Sequence, residues 1–169
     1  MSNITINPKR VLAIDKAQLK FLDIKTAHIL FALAEAVIGE DFRVKVPNFI
    51  PMIDDYFGYQ RKAQREALRQ GMRVLESKVV SLLLGGGLRG FSHLSIADRQ
   101  QILEKLSKSK VQQFRNLYAA GVNISASTYY ASEATWNEIK YDGVSVDHPE
   151  ILTNPKPPWR PHDPRPIEP

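Results

Sequence analysis

The run IKTAHILFALAEAVI, residues 24–38, constrains this chain more than any other, because Ile24, Ala27, Leu30, Phe31, Leu33, Ala34, Val37 and Ile38 go nearly all the way round it. A helix apolar on most faces is a buried one and must be wrapped by others. Asp23 stands where an N-cap belongs and Gly39 where a helix ends. The chain therefore reads as all-α: an irregular bundle of about five helices around this core helix, with extended arms at both ends. At 169 residues it is one domain, long enough to bury a real core.

The remaining elements follow from punctuation and spacing. Residues 1–22 read as an extended arm, since Pro8 breaks any early helix. Residues 40–48 read as a loop, and Pro51 fits the first turn of a second helix through Asp54, Asp55 and Tyr56, interrupted near Gly58. From Tyr59 a long helix is expected to run to Leu84, burying Leu68, Met72, Leu75, Val79 and Leu82 as a seam at alternating steps of four and three. Ser95 to Asp98 forms a capping box with Asp in place of Glu and opens a helix through Leu106. The last long helix starts at Ser107 or Ser109, with Val111, Phe114, Leu117, Tyr118 and Val122 on one face and Gly121 as a point of close approach or a kink. The helical domain is bounded at 23–147. Eight of the eleven prolines fall in the last 21 residues, so 148–169 is an extended arm with a reach of about 60 Å.

Between these lies the densest aromatic stretch, Ser127 to Asp147, with Tyr129, Tyr130, Trp136 and Tyr141. Ser132 and Glu133 are suited to start a helix of little more than two turns, and Asp142-Gly143 supplies a turn beyond it. So short a helix is not stable alone. Its aromatics must hold it against the chain's own helices or against another protein.

The run YYASEATWNEIKYDG resembles the C-terminal signature of the gluconate 2-dehydrogenase subunit 3 family: a Tyr-Tyr pair, a short helix carrying Trp, then Gly-Tyr-Pro-Gly-Pro. Tyr129, Tyr130, Trp136, Ile139, Tyr141 and Gly143 match, whereas Lys140 stands at the first Gly and Asp142 and Val144 at the prolines. A different turn geometry is expected there. The resemblance spans the first helix to Val144, but only Tyr129–Gly143 is specific. It implies a small, non-catalytic gamma subunit in tight complex with a flavin-dependent oxidoreductase of the glucose-methanol-choline class. The FAD and the histidine-type base would belong to that large subunit, with no cofactor in this chain. A haem-containing electron-acceptor subunit is a further partner in related complexes and is not assumed here.

The residues themselves fit a chain that holds rather than reacts. Without cysteine there is no disulfide framework, thiolate chemistry or zinc–cysteine site. His28, His93, His148 and His162 have no histidine at i+3 or i+4, and no Glu-x-x-His pair exists for a di-iron bundle. His28 and Glu35 stand about 10 Å apart along their helix, so His28 is expected to be a hydrogen-bonded buried imidazole. GGGLRG, at 85–90, follows a helix rather than a strand and lacks phosphate-loop spacing, so it reads as a linker. No Ser-His-Asp set or G-x-S-x-G elbow can be assembled, and Asp54-Asp55 point apart. Catalytic, cofactor-binding and metal-ligating residues are accordingly expected to be none.

The expected partner-binding residues are Tyr129, Tyr130, Trp136, Ile139 and Tyr141, together with Trp159 and Arg160 of the proline arm, the residue types that most often anchor interfaces. Arg61, Arg65, Arg69 and Arg73 recur every four residues. The column drifts around the helix, so Arg61 and Arg65 are expected to pair with carboxylates, internal or on a partner, and Arg69 and Arg73 to be solvated. The charge of +5 suits a solvated surface or an acidic partner. A helical adaptor gripping a non-flavin protein stays open as an alternative, and behind it a basic nucleic-acid-binding domain. No secretory pattern or twin arginine opens the sequence and no stretch approaches membrane-spanning length, so a cytoplasmic place is expected, with co-export to the periplasm on a partner's signal as the alternative.

Overall fold

A computed structural model describes residues 19–141, so the proline arm with Trp159 and Arg160 lies outside the described residues. The chain divides into two compact units between Thr135 and Trp136. The described residues are all-helical with no strand, as expected, but hold more pieces than five: α1 (Ile24–Ile38), α2 (Phe42–Lys45), α3 (Phe49–Gly58), α4 (Lys62–Leu75), α5 (Lys78–Leu83), α6 (Ile96–Ser107), α7 (Gln112–Tyr130), and 3-10 turns at Phe91–His93 and Glu133–Glu138. No helix among them is long and apolar enough to cross a membrane.

α1 is the buried axis of the first unit, enclosed from Thr26 to Ala36 except at His28. It ends at Gly39, whose φ of 113° suits glycine. α7 packs against it closely, since a Cβ at Gly121 would lie 2.7 Å from Leu33 Cδ1. Gly121 thus permits close approach. The expected loop at 40–48 contains α2, which exists to bury Phe42; its ring meets Phe31 at 4.9 Å and Phe49 edge-on at 5.1 Å. His28 departs from expectation: its Nε2 is buried without a protein hydrogen-bond partner.

Asp23 caps α1 as read, Oδ1 accepting from the Thr26 N–H at 2.9 Å and Oδ2 from its hydroxyl at 2.8 Å. Burial pushes this carboxyl up, but the Thr26 donors and the Arg69 and Arg73 charges outweigh that and hold it below its ordinary value. A depressed folded pKa means stabilisation that is present above the unfolded value and lost as pH falls through the folded one. Asp23→Ala is therefore expected to cost about 1 kcal/mol near neutrality. The difference from the parent should close below about pH 4. A difference that persists unchanged through an acid titration of Tm would show that the charge of the cap contributes nothing.

The expected helix from Tyr59 to Leu84 is broken. α4 stops at Leu75, and Ser77 is extended at φ −64°, ψ 127°. The cause is not local. The Glu76 carboxylate accepts from the Ser92 N–H at 2.9 Å and its hydroxyl at 2.8 Å, fixing the chain to a loop sixteen residues on. The seam therefore ends at Met72 and Leu75, both buried, while Val79 and Leu82 face outward. Ser95 caps α6 as expected, accepting from the Asp98 N–H. α7 starts later than read, at Gln112.

Candidate functional site

The aromatic run begins inside α7, and the helix geometry divides its tyrosine pair. Consecutive residues point about 100° apart. Tyr129 turns inward and joins the first unit's core at 4% exposure, while Tyr130 stays outside at 40%. Their rings still meet edge-on, centroids 5.1 Å apart. Tyr129 therefore packs in the core and helps hold α7 in place, and of the pair expected to bind a partner it is Tyr130 that is presented. Thr135, fully buried, closes the helix end: its hydroxyl lies 2.8 Å from both the Tyr129 and the Ser132 carbonyls.

The expected short helix is a 3-10 turn, Glu133–Glu138, so its residues are wound more tightly than an α-helix would wind them. In the second unit the Trp136 carbonyl accepts from both the Ile139 and the Tyr141 N–H, at 3.1 and 3.0 Å. This folds Tyr141 back, and its ring meets Trp136 edge-on at 5.0 Å. Lys140 makes the reversal with φ 54°, a left-handed conformation that an L-residue adopts at a cost and glycine does not. Ile139 and Tyr141 are left 47% and 43% exposed.

The arginine column is arranged differently from its reading. Arg61 is exposed at the start of α4, its backbone N–H donating to Gln64 Oε1 at 3.1 Å, and the Arg65 guanidinium sits over the Phe21 ring. Among the described residues neither pairs with a carboxylate. Arg69, expected to be solvated, is the one engaged: it donates to the Phe21 carbonyl and to Glu66 and lies 3.8 Å from Asp23. The stretch from Leu19 to Asp23, bent at Lys20 and Phe21, passes α4 beside Arg69, and helical phase alone cannot register a segment folded back from outside the helix.

Two features were not anticipated. Glu35 is buried in α1 between Arg99 of α6, 2.6 Å away, and Arg43 of α2. The signal was available: a lone carboxylate in a helix that must be buried requires a cation. The second is an open groove of about 480 Å³ between α3, α4 and α7, floored by Phe57, Leu68, Leu117 and Ile124 and rimmed by amides such as Gln60 and Gln64. Its size suits an apolar side chain or small molecule. No group of His, Asp or Glu among the described residues is placed to hold a metal ion. Comparison with protein-family models, curated protein sequences and solved structures finds no match.

Proposed function

We propose that this chain is a non-catalytic small subunit that binds, stabilises and helps mature an FAD-dependent oxidoreductase of the glucose-methanol-choline class, acting on a sugar, a sugar acid or another alcohol. The observation that carries the reading is at Lys140. The resemblance puts a glycine there, and the backbone at Lys140 takes the left-handed conformation that glycine favours. A left-handed residue at the position where the resemblance puts glycine supports the reading. Its outward residues, Tyr130, Ile139 and Tyr141, are aromatic or aliphatic and exposed, the character of interface anchors. The flavin and the chemistry belong to the partner.

The test is capture of a tagged full-length chain from its native host. A yellow, flavin-bearing partner is expected. Tyr130→Ala with Trp136→Ala should reduce the captured flavoprotein about tenfold or more, since anchor truncations cost above ~1 kcal/mol each. Arg73→Ala, on the exposed flank of α4, is the matched control and should change it little. Equal losses in the two variants would place the interface elsewhere, and a partner without flavin would favour the adaptor reading.

A further inference from the structure

α5 is built inside out. Its one fully buried residue is Ser81, whose hydroxyl is enclosed without a hydrogen-bond partner. Val79, Leu82 and Leu83, spaced to share one face, are 66%, 53% and 76% exposed. Leu88, on the glycine turn that follows, is 71% exposed. Single exposed leucines need no explanation, but a helix that hides its serine and presents its aliphatics does.

The projection is fixed from behind. The Gly86 N–H donates to the Ser81 carbonyl at 2.7 Å, and Lys105 Nζ donates to the Leu84 carbonyl at 2.7 Å. Gly86 packs so tightly that a Cβ there would lie 2.8 Å from both Ile102 Cδ1 and Leu94 Cδ1. Side chains on a backbone already held in place lose less entropy on docking. From Ser77 to Ala97 there is no Asp or Glu, while Lys78 and Arg89 are exposed; the acids that bound this stretch, Glu76 and Asp98, are engaged by Ser92 and Ser95.

We propose that α5 and its glycine turn form a preformed docking knob that seats in a leucine-sized hollow, edged with carboxylates, on the large flavoprotein subunit. This rests on the functional reading above and adds a contact surface separate in sequence from the aromatic run. The charge pattern selects this occupant over others. In a two-fold contact with a second copy the patch would meet itself, setting Lys78 and Arg89 against like charge. An anionic membrane surface is held by clusters of about four to eight Lys or Arg, and needs no rigid geometry; two flanking cations on a locked turn fit a shaped, acidic protein face.

The experiment uses the tagged full-length chain in its native host, as wild type, as the double variant Leu83→Asp with Leu88→Asp, and as the control Val44→Asp, the same kind of change at one exposed residue of α2. Circular dichroism and Tm establish that each variant folds. The wild type and V44D should capture the flavoprotein equally, read by flavin absorbance, and the double variant about tenfold less or worse. Capture by the wild type should also weaken as salt is raised. Equal flavoprotein capture by all three overturns the knob while leaving the functional reading standing. So does a variant whose only change is loss of self-association, or of co-sedimentation with phosphatidylglycerol-containing vesicles; either would assign the patch to a second copy or to lipid. Absence of any flavoprotein from the wild-type capture overturns the functional reading, and this inference with it.

Discussion

Glu35→Ala is expected to destabilise the chain by about 3–5 kcal/mol, the cost of removing one partner from a buried ion pair. The carboxylate is 7% exposed and joins three helices. Arg99, 10% exposed, gives it one guanidinium N–H and donates also to the Ala32 carbonyl at 3.1 Å and the Ser92 carbonyl at 3.3 Å. Arg43 approaches from α2 while lying over the Phe31 ring at 4.9 Å. Without Glu35, Arg99 remains buried with an uncompensated charge. Arg43 is 44% exposed and recovers water, so Arg43→Ala should cost no more than about 1 kcal/mol. Arg99→Ala should fall between the two, because Arg43 still faces the carboxylate. Thermal or urea unfolding ranks the three, and a Tm loss on the order of 10 °C is expected for the first. If Arg43→Ala proved the most damaging of the three, Glu35 would not be the hub that joins α1, α2 and α6.

The fold was legible wherever the signal was local. Asp23, Gly39 and the all-round apolar character of residues 24–38 specify α1 within one segment, and Ser95 with Asp98 does the same for the start of α6. What could not be read was decided between segments. The seam from Leu68 to Leu82 is helical by every periodic criterion, yet the chain turns at Ser77 because Ser92 claims the Glu76 carboxylate. Arg69 rather than Arg61 or Arg65 finds Asp23 and the Phe21 carbonyl because residues 21–23 pass beside it. At the aromatic run the tight turn after Trp136 was expected to differ in geometry at Lys140. The left-handed backbone there was not readable, since lysine carries no preference for it. The inversion of α5 was hidden for the same reason: Val79 and Leu82 look like core until the chain turns away before them.

Removing the carboxylate at residue 54 should release the stretch that enters α1, at a cost of about 3 kcal/mol. Asp54 is 2% exposed on α3 and accepts three successive backbone donors: Lys20 N–H at 2.8 Å on Oδ2, then Phe21 N–H at 3.0 Å and Leu22 N–H at 2.7 Å on Oδ1. Hydrogen bonds to a carboxylate are each worth more than neutral ones, and removing this one leaves the buried Leu22 N–H without its acceptor. The adjacent acid does different work: Asp55 points away to an exposed pairing with Lys20 at 3.7 Å. Asp54→Ala should therefore lower Tm and selectively abolish hydrogen-exchange protection at residues 20–22, while the amides of α6 keep theirs. Asp54→Asn should lose less, because its remaining carbonyl oxygen can still serve the Phe21 and Leu22 donors while its NH₂ opposes the Lys20 N–H. The alanine change also strips the support under Phe21, whose ring packs so close to Gly58 that a Cβ there would lie 2.8 Å from it and whose face carries Arg65. Protection at 20–22 that survives in Asp54→Ala would show that the ring, not the carboxylate, is what fastens this stretch to α3.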